Sequence, residues 1–258
     1  MQHLKIALIQ TEIIWHKVEQ NLIRYTQKID ALSEEVDLII LPEMFSTGFS
    51  MHPKGIAETM QGTTLQWMQK TAAQKNSAIC GSIIIEEDNR YFNRLLFVHP
   101  SGMCETYDKK HLFTLAGEHH IYTAGNKKLL VSYKGWKISP LVCYDLRFPV
   151  WSRNTEAYDL LIYVANWPEP RIGAWDTLLK ARAVENLSYC IGVNRVGSDG
   201  NNLKYSGHSS AFDCLGEPIC LLSKNQEDIS IVSLDKNQLA TVREKLSFLE
   251  DRDNFELG

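Results

Sequence analysis

No apolar run in this chain reaches the roughly 18 residues that a membrane-spanning helix needs. No block of basic residues is present either, and the formal net charge is -4. Nucleic acid and anionic membrane surfaces are therefore not expected as partners. The six cysteines, at positions 80, 104, 143, 190, 214 and 220, form no C-x-x-C pair. They are scattered, mostly inside apolar strand-like runs, so neither a disulfide framework nor a zinc ribbon is expected. The segment Lys5–Gln10 follows the N-terminus with no charged-then-apolar secretory pattern. Together these absences point to a reducing cytoplasm. No low-complexity stretch or linker divides the chain, so a single domain over residues 1–258 is expected. His119 and His120 are adjacent, which turns them to different faces of an extended chain, and no third ligand spacing accompanies them. No metal or other cofactor is expected.

What is present is 44% hydrophobic residues, ample for a sizeable core. Apolar patterning predicts strands over Leu4–Gln10, Val36–Leu41, Ala78–Ile85, Tyr91–Val98, Leu129–Tyr133, Trp136–Val142, Asp159–Ala165 and Tyr189–Asn194. Shorter ones follow at Ser209–Asp213, Pro218–Leu222 and Ile229–Leu234. A first helix is carried by Val18, Leu22, Tyr25, Ile29 and Leu32, and others by Thr64–Lys75, a stretch near Val150–Ala157, and Ala174–Leu187 with Leu178, Ala181 and Val184 inward. Asp235 is placed to cap a last short helix. Glu105–His120 reads as mostly polar, Gly197–Gly207 as a flexible polar loop, and the tail from Ser247 has no core pattern. The recurring βα alternation indicates a layered α/β architecture rather than a barrel of equal units. The phrases Val36-Asp-Leu-Ile-Ile-Leu41 and Tyr158-Asp-Leu-Leu-Ile-Tyr163 echo each other, a sign of internal pseudo-symmetry.

Candidate chemistry sits where apolar runs stop. In Leu141-Val-Cys-Tyr-Asp-Leu-Arg-Phe-Pro149 a buried strand ends at Cys143, and Pro149 suits the first turn of a following helix. A thiol on such a turn lies near orphan backbone amides that can stabilise a thiolate or an oxyanion; the alternative is a buried structural cysteine. Glu43 stands just beyond Leu41, where partial desolvation favours proton-transfer work, or else it is a solvated loop residue. Lys109 and Lys110 are either surface charges or a source of fixed positive charge, and His111 reads as a packing histidine. A cysteine, a lysine and a glutamate can jointly run acyl transfer, with the glutamate as base and the lysine holding the oxyanion. Neither a papain-type Cys-His-Asn signature nor a glycine-flanked nucleophile elbow is present.

The ordered set Leu41-Pro-Glu43, Tyr107-Asp-Lys-Lys-His-Leu-Phe113 and Val142-Cys-Tyr-Asp-Leu-Arg-Phe-Pro149 resembles the nitrilase superfamily of carbon–nitrogen hydrolases. Asn166-Trp-Pro168, Ala181–Asn186, Asn194-Arg-Val-Gly197 and Tyr205–Ser209 extend the likeness along nearly the whole chain. The resemblance implies a four-layer α-β-β-α sandwich, commonly a homodimer, with a catalytic triad that would be Glu43, Lys109 and Cys143. It also implies Glu118 as the second glutamate, placed seven residues before Gly125, and the Tyr144 backbone amide as an oxyanion donor. Asp145 and Arg147 are expected to be structural, as a helix cap and a buried ion pair around the turn. Within the superfamily, Glu43–Met51, Gly117–Tyr122 and Asn166–Arg171 resemble the omega-amidase branch, whose members hydrolyse the terminal amide of 2-oxoglutaramate and 2-oxosuccinamate with release of ammonia. Substrate contacts are then expected from Asn166, Trp167, Arg171, Trp175 and His208, with a small-molecule amide as partner. The rivals are a carbamoylase or another amide hydrolase of the superfamily, and a non-catalytic binding protein on the same fold.

Overall fold

A computed structural model describes residues 2–255, so Met1 and residues 256–258, with the last residues of the patternless tail, lie outside the described residues. The first half of the chain forms β1 (His3–Gln10), α1 (Val18–Asp30), β2 (Leu38–Ile40), α2 (Thr63–Lys75), β3 (Ala78–Glu87), β4 (Arg90–Val98) and β5 (Cys104–Asp108). The second forms β6 (Val131–Tyr133), β7 (Trp136–Val142), α3 (Pro149–Ser152), β8 (Leu160–Ala165), α4 (Ile172–Asn186) and β9 (Tyr189–Asn194). Then come β10 (Val196–Ser198), β11 (Lys204–Ser206), β12 (Ser210–Phe212), β13 (Pro218–Leu221), β14 (Asp228–Asp235) and α5 (Lys236–Lys245).

Two six-stranded sheets result, ordered β14-β1-β2-β3-β4-β5 and β13-β12-β9-β8-β7-β6. They repeat one plan. β2 and β8, which carry the two echoing phrases, each run parallel to both neighbours. Beyond these, antiparallel strands flank each trio: β14 and β4 in the first sheet, β6 and β12 in the second. β5 and β13 then complete the two edges.

Strand alternation sorts the side chains into layers. From β1, β2 and β3, Ile6, Leu8, Leu38, Ile40, Ala78 and Cys80 join the core shared with the second sheet. Their neighbours Ala7, Ile9, Ile39, Leu41 and Ile79 pack instead with Leu22, Tyr25 and Ile29 of α1 and Met68 and Ala72 of α2. Trp175, Leu179 and Ala183 of α4 cover the outer face of the second sheet. The architecture is an α-β-β-α sandwich. Asp235 caps α5 by accepting a hydrogen bond from the Asn237 amide.

Four local expectations need correction. Part of the polar stretch after Glu105 is strand, because β5 is an edge strand whose outer residues remain partly exposed. The loop expected over Gly197–Gly207 is an ordered antiparallel ribbon of β10 and β11. The helix expected near Val150–Ala157 is one turn, α3, with Pro149 at its start as expected. In α4 the inward face is Trp175, Leu179, Arg182, Ala183 and Asn186, while Val184 is exposed. Arg182 and Asn186 are buried because they bond to the backbone: Arg182 Nη2 donates to Leu146 O at 2.6 Å, and Asn186 Oδ1 accepts from Asn154 N at 2.8 Å.

Candidate active site

The equivalent strands of the two halves end face to face. Glu43 lies just beyond β2 and Asn166 just beyond β8, and Asn166 bonds to it twice. Its backbone N–H donates to Glu43 Oε2 at 2.8 Å, and its side-chain amide donates to the Glu43 carbonyl. Glu43 is fully buried. Its Oε1 accepts from Lys109 Nζ at 3.0 Å and from Asn93 Nδ2 at 2.7 Å. Lys109 follows β5, is 1% exposed, and also donates to Glu118, 2.9 Å from Oε2. Glu118 is fully buried and accepts from the Phe113 amide as well. Lys109 thus stands between two carboxylates, and its Nζ lies 5.1 Å from the Phe49 ring centre. Burial works against its charge, but Glu118 and Glu43 more than offset that and hold its pKa above the usual lysine range. Burial, opposed by Lys109, raises the pKa of Glu118.

Cys143 opens a 3-10 turn over Cys143–Arg147 at the end of β7 and adopts φ 45°, the left-handed region that a side chain normally avoids. Asp145 holds this turn from below, accepting from Val142 N at 3.1 Å, Tyr107 OH at 2.7 Å, and His111 N and Nδ1 at 2.9 and 2.8 Å. Tyr107 and His111 flank Lys109, so one carboxylate ties the cysteine turn to the lysine segment. Burial, and then the Glu43 carboxylate, push the Cys143 thiol well above its usual range, while Lys109 pulls the other way. The thiol is therefore protonated at rest and requires a base to become a nucleophile.

Glu43, Lys109 and Cys143 line one cavity of about 200 Å³, with Tyr144, Asn166, Trp167 and Arg171 also on its walls. Tyr144 is the second residue of its turn, where a backbone N–H has no acceptor within the helix. The Arg171 guanidinium stacks 5.2 Å from the Phe113 ring centre. Trp175 and His208 are not on these walls. Trp175 is buried beneath Trp167, ring centres 5.5 Å apart, and donates from Nε1 to the His208 carbonyl, while the His208 ring bonds to Asp176 at 2.9 Å. Both support the wall from behind. Lys110 points away, its Nζ 5.3 Å from the Trp151 ring centre. His119 and His120 are exposed, their ring centres 3.8 Å apart and the rings tilted by 42°.

Three features escaped the sequence reading. Arg147 makes no ion pair with Asp145, whose oxygens are taken by Tyr107, His111 and Val142; it lines the cavity, stacked 5.0 Å from the Trp167 ring centre. Asn93, inside β4, bridges toward both glutamates. The β10–β11 ribbon supplies a further wall through Asp199, Asn201, Leu203 and Tyr205. The one signal for the ribbon is Asp199 followed by Gly200 and Asn201, a turn sequence between two short strands.

Comparison with known proteins places the chain among relatives of similar length. Omega-amidase YafV of Escherichia coli strain K12 is 43% identical over 257 residues, covering 100% of both chains. The 2-oxoglutaramate amidase of Bacillus subtilis strain 168 is 31% identical, covering 95% of this chain and 96% of its own. The crystal structure of a CN-hydrolase superfamily protein from Xanthomonas campestris, with an arsenic adduct in its active site, matches with TM-score 0.97 and 43% identity over 100% of both chains. The carbon-nitrogen hydrolase family model covers residues 5–244. With the family model over most of its length and full-length relatives at 43% identity, the chain belongs to the carbon–nitrogen hydrolases.

Proposed function

We propose that this protein is an omega-amidase, hydrolysing the terminal carboxamide of a short 2-oxo acid monoamide such as 2-oxoglutaramate or 2-oxosuccinamate. The observation that carries the reading is one cavity that holds the Cys143–Glu43–Lys109 cluster together with the guanidiniums of Arg147 and Arg171. The cluster supplies acyl-transfer chemistry. The guanidiniums supply planar, permanently charged donors for the carboxylate and oxo group at the other end of the substrate. The names of the Escherichia and Bacillus relatives support the same substrate class.

In the first half-reaction Glu43 takes the thiol proton and the Cys143 sulfur attacks the amide carbonyl carbon. Lys109 has three N–H donors; with one given to Glu43 and one shared between the two oxygens of Glu118, one is left for the developing oxyanion. The Tyr144 backbone N–H is the second oxyanion donor. Collapse of the tetrahedral intermediate transfers the proton from Glu43 to the leaving nitrogen, releasing ammonia and a thioester. Glu43 then deprotonates a water, which cleaves the thioester and restores the thiol. Glu118 keeps Lys109 charged and in place. A homodimer in a cytoplasmic setting belongs to the same proposal, and light scattering reports the assembly directly.

The substrate assignment is tested by ammonia release from 2-oxoglutaramate, glutamine and an N-carbamoyl amino acid. The highest kcat/KM is expected for 2-oxoglutaramate; preference for the carbamoyl compound would make the protein a carbamoylase. Arg171→Lys keeps the charge and loses the planar fork, so KM for 2-oxoglutaramate rises while an uncharged amide of similar length is scarcely affected. Equal effects on both amides would remove Arg171 from carboxylate recognition.

A further inference from the structure

The four carboxylate oxygens of the two active-site glutamates are not equally occupied. Glu43 Oε1 accepts from Asn93 Nδ2 at 2.7 Å and Lys109 Nζ at 3.0 Å. Glu118 Oε1 lies 3.1 Å from Lys109 Nζ and 3.4 Å from Asn93 Nδ2. Glu118 Oε2 accepts from Lys109 Nζ at 2.9 Å and from the Phe113 amide. Glu43 Oε2 accepts from one donor, the Asn166 backbone N–H at 2.8 Å. Since a carboxylate oxygen has room for about two such bonds, the acceptor capacity left among the described residues is on Glu43 Oε2.

Asn93 is fully buried, and its orientation is dictated by its neighbours. The Met44 backbone N–H can only donate, and it does so to Ser82 Oγ at 2.9 Å. The Ser82 hydroxyl then donates to Asn93 Oδ1 at 2.8 Å, which turns the amide nitrogen toward Glu43. The chain of bonds begins at the residue after Glu43 and returns to the Glu43 carboxylate. Asn93 also accepts the Lys109 backbone N–H on its own carbonyl at 3.0 Å, so it spaces the lysine segment against β4.

We infer that Asn93, oriented by Ser82, is a positioning residue that selects which oxygen of Glu43 moves the proton: it fills Oε1 and leaves Oε2 for the Cys143 thiol. The inference rests on the cysteine-nucleophile reading given above. In the step it governs, the S–H bond breaks and an O–H bond forms at Oε2. The sulfur electron pair adds to the carbonyl carbon, and the displaced π pair moves to the oxygen facing Lys109. Asn93 exchanges no proton itself. A neutral amide suits this task, because it donates to a carboxylate without adding a second charge next to Lys109.

Asn93→Leu preserves volume and removes the donor; Ser82→Ala keeps Asn93 but releases its orientation. Two readouts are taken on variants shown to be folded by thermal melting. One is kcat and KM on 2-oxoglutaramate, and the other is the rate of Cys143 alkylation by iodoacetamide, followed by peptide mass. Asn93→Leu is expected to slow kcat and alkylation together by about tenfold or more, and Ser82→Ala by about fivefold, with KM little changed. Wild-type alkylation and kcat in both variants, or a loss confined to KM, would overturn the inference. If Asn93→Leu does not fold, Ser82→Ala decides alone on the same criteria. Alkylation displaces iodide at the methylene carbon and requires no amide hydrolysis, so a wild type inert toward 2-oxoglutaramate would sink the substrate assignment while the alkylation rates still judge Asn93.

Discussion

Lys109 and Lys110 are adjacent in sequence and opposite in fate: one Nζ is enclosed by Glu43 and Glu118, and the other stacks on Trp151 at the surface of a separate groove. Lys109→Met therefore removes an oxyanion donor and should cost about a hundredfold or more in kcat. Lys110→Met should leave kcat close to wild type, and steady-state ammonia release compares the two. Equal losses would mean that the oxyanion is held by another group. Glu43 and Cys143 were legible because each stands where an apolar strand stops, and a polar group there contrasts with what precedes it. Lys109 instead follows the polar edge strand β5 and was singled out from Lys110 only by the resemblance carried in Tyr107–Phe113. Asn93 gave no such contrast: it lies within β4 between Phe92 and Arg94, where its inward direction depends on pairing with β3. Arg147 was misread for a different reason. An arginine two residues after Asp145 invites an ion pair, but Tyr107 and His111 arrive from distant sequence to satisfy that carboxylate instead.

At the scale of elements, α4 connects packing to the cavity. Gly192 in β9 lets this helix approach closely: a Cβ there would lie 2.4 Å from Leu179 Cδ1 and 2.6 Å from Trp175 Cζ2. Gly192→Ala should push α4 outward, lower stability by about 1–3 kcal/mol, and raise KM because Trp175 backs the cavity wall at Trp167. Thermal melting and kinetics on one preparation check both effects. The face of this helix was not readable from apolar spacing, since Arg182 and Asn186 occupy buried positions that a periodicity argument assigns to solvent. Between β13 and β14, Glu227 fastens the turn to the first half of the chain, bonding to Thr11, the Glu12 amide and Lys28. Burial opposes its ionisation, but these bonds outweigh it and hold its pKa down to about 2. A depressed carboxylate stabilises the fold above its ordinary value of 4.5 and loses that contribution as pH falls toward 2. Glu227→Gln should therefore lower the melting temperature at neutral pH and flatten its decline across that window. An unchanged slope would show that the turn is held by other contacts.

The whole molecule is two copies of one β-sheet plan, and the chemistry is divided between them. Glu43 and Lys109 come from the first sheet's half, and Cys143 and Asn166 from the second, so the site is complete only when both halves are folded against each other. The doubled plan was visible in the echo between β2 and β8, because buried parallel strands leave near-continuous apolar runs. The division of the site across the seam was not, because it depends on which strand ends meet. The account's central claim is that this seam performs covalent catalysis through Cys143. It is tested most directly by peptide-level mass spectrometry of enzyme and 2-oxoglutaramate quenched in acid during turnover. The account predicts an acyl group, the substrate minus ammonia, on the peptide containing Cys143 and its absence in Cys143→Ala, which remains folded but releases no ammonia. An acyl group on Cys80 or Cys190, or continued ammonia release by Cys143→Ala, would contradict it.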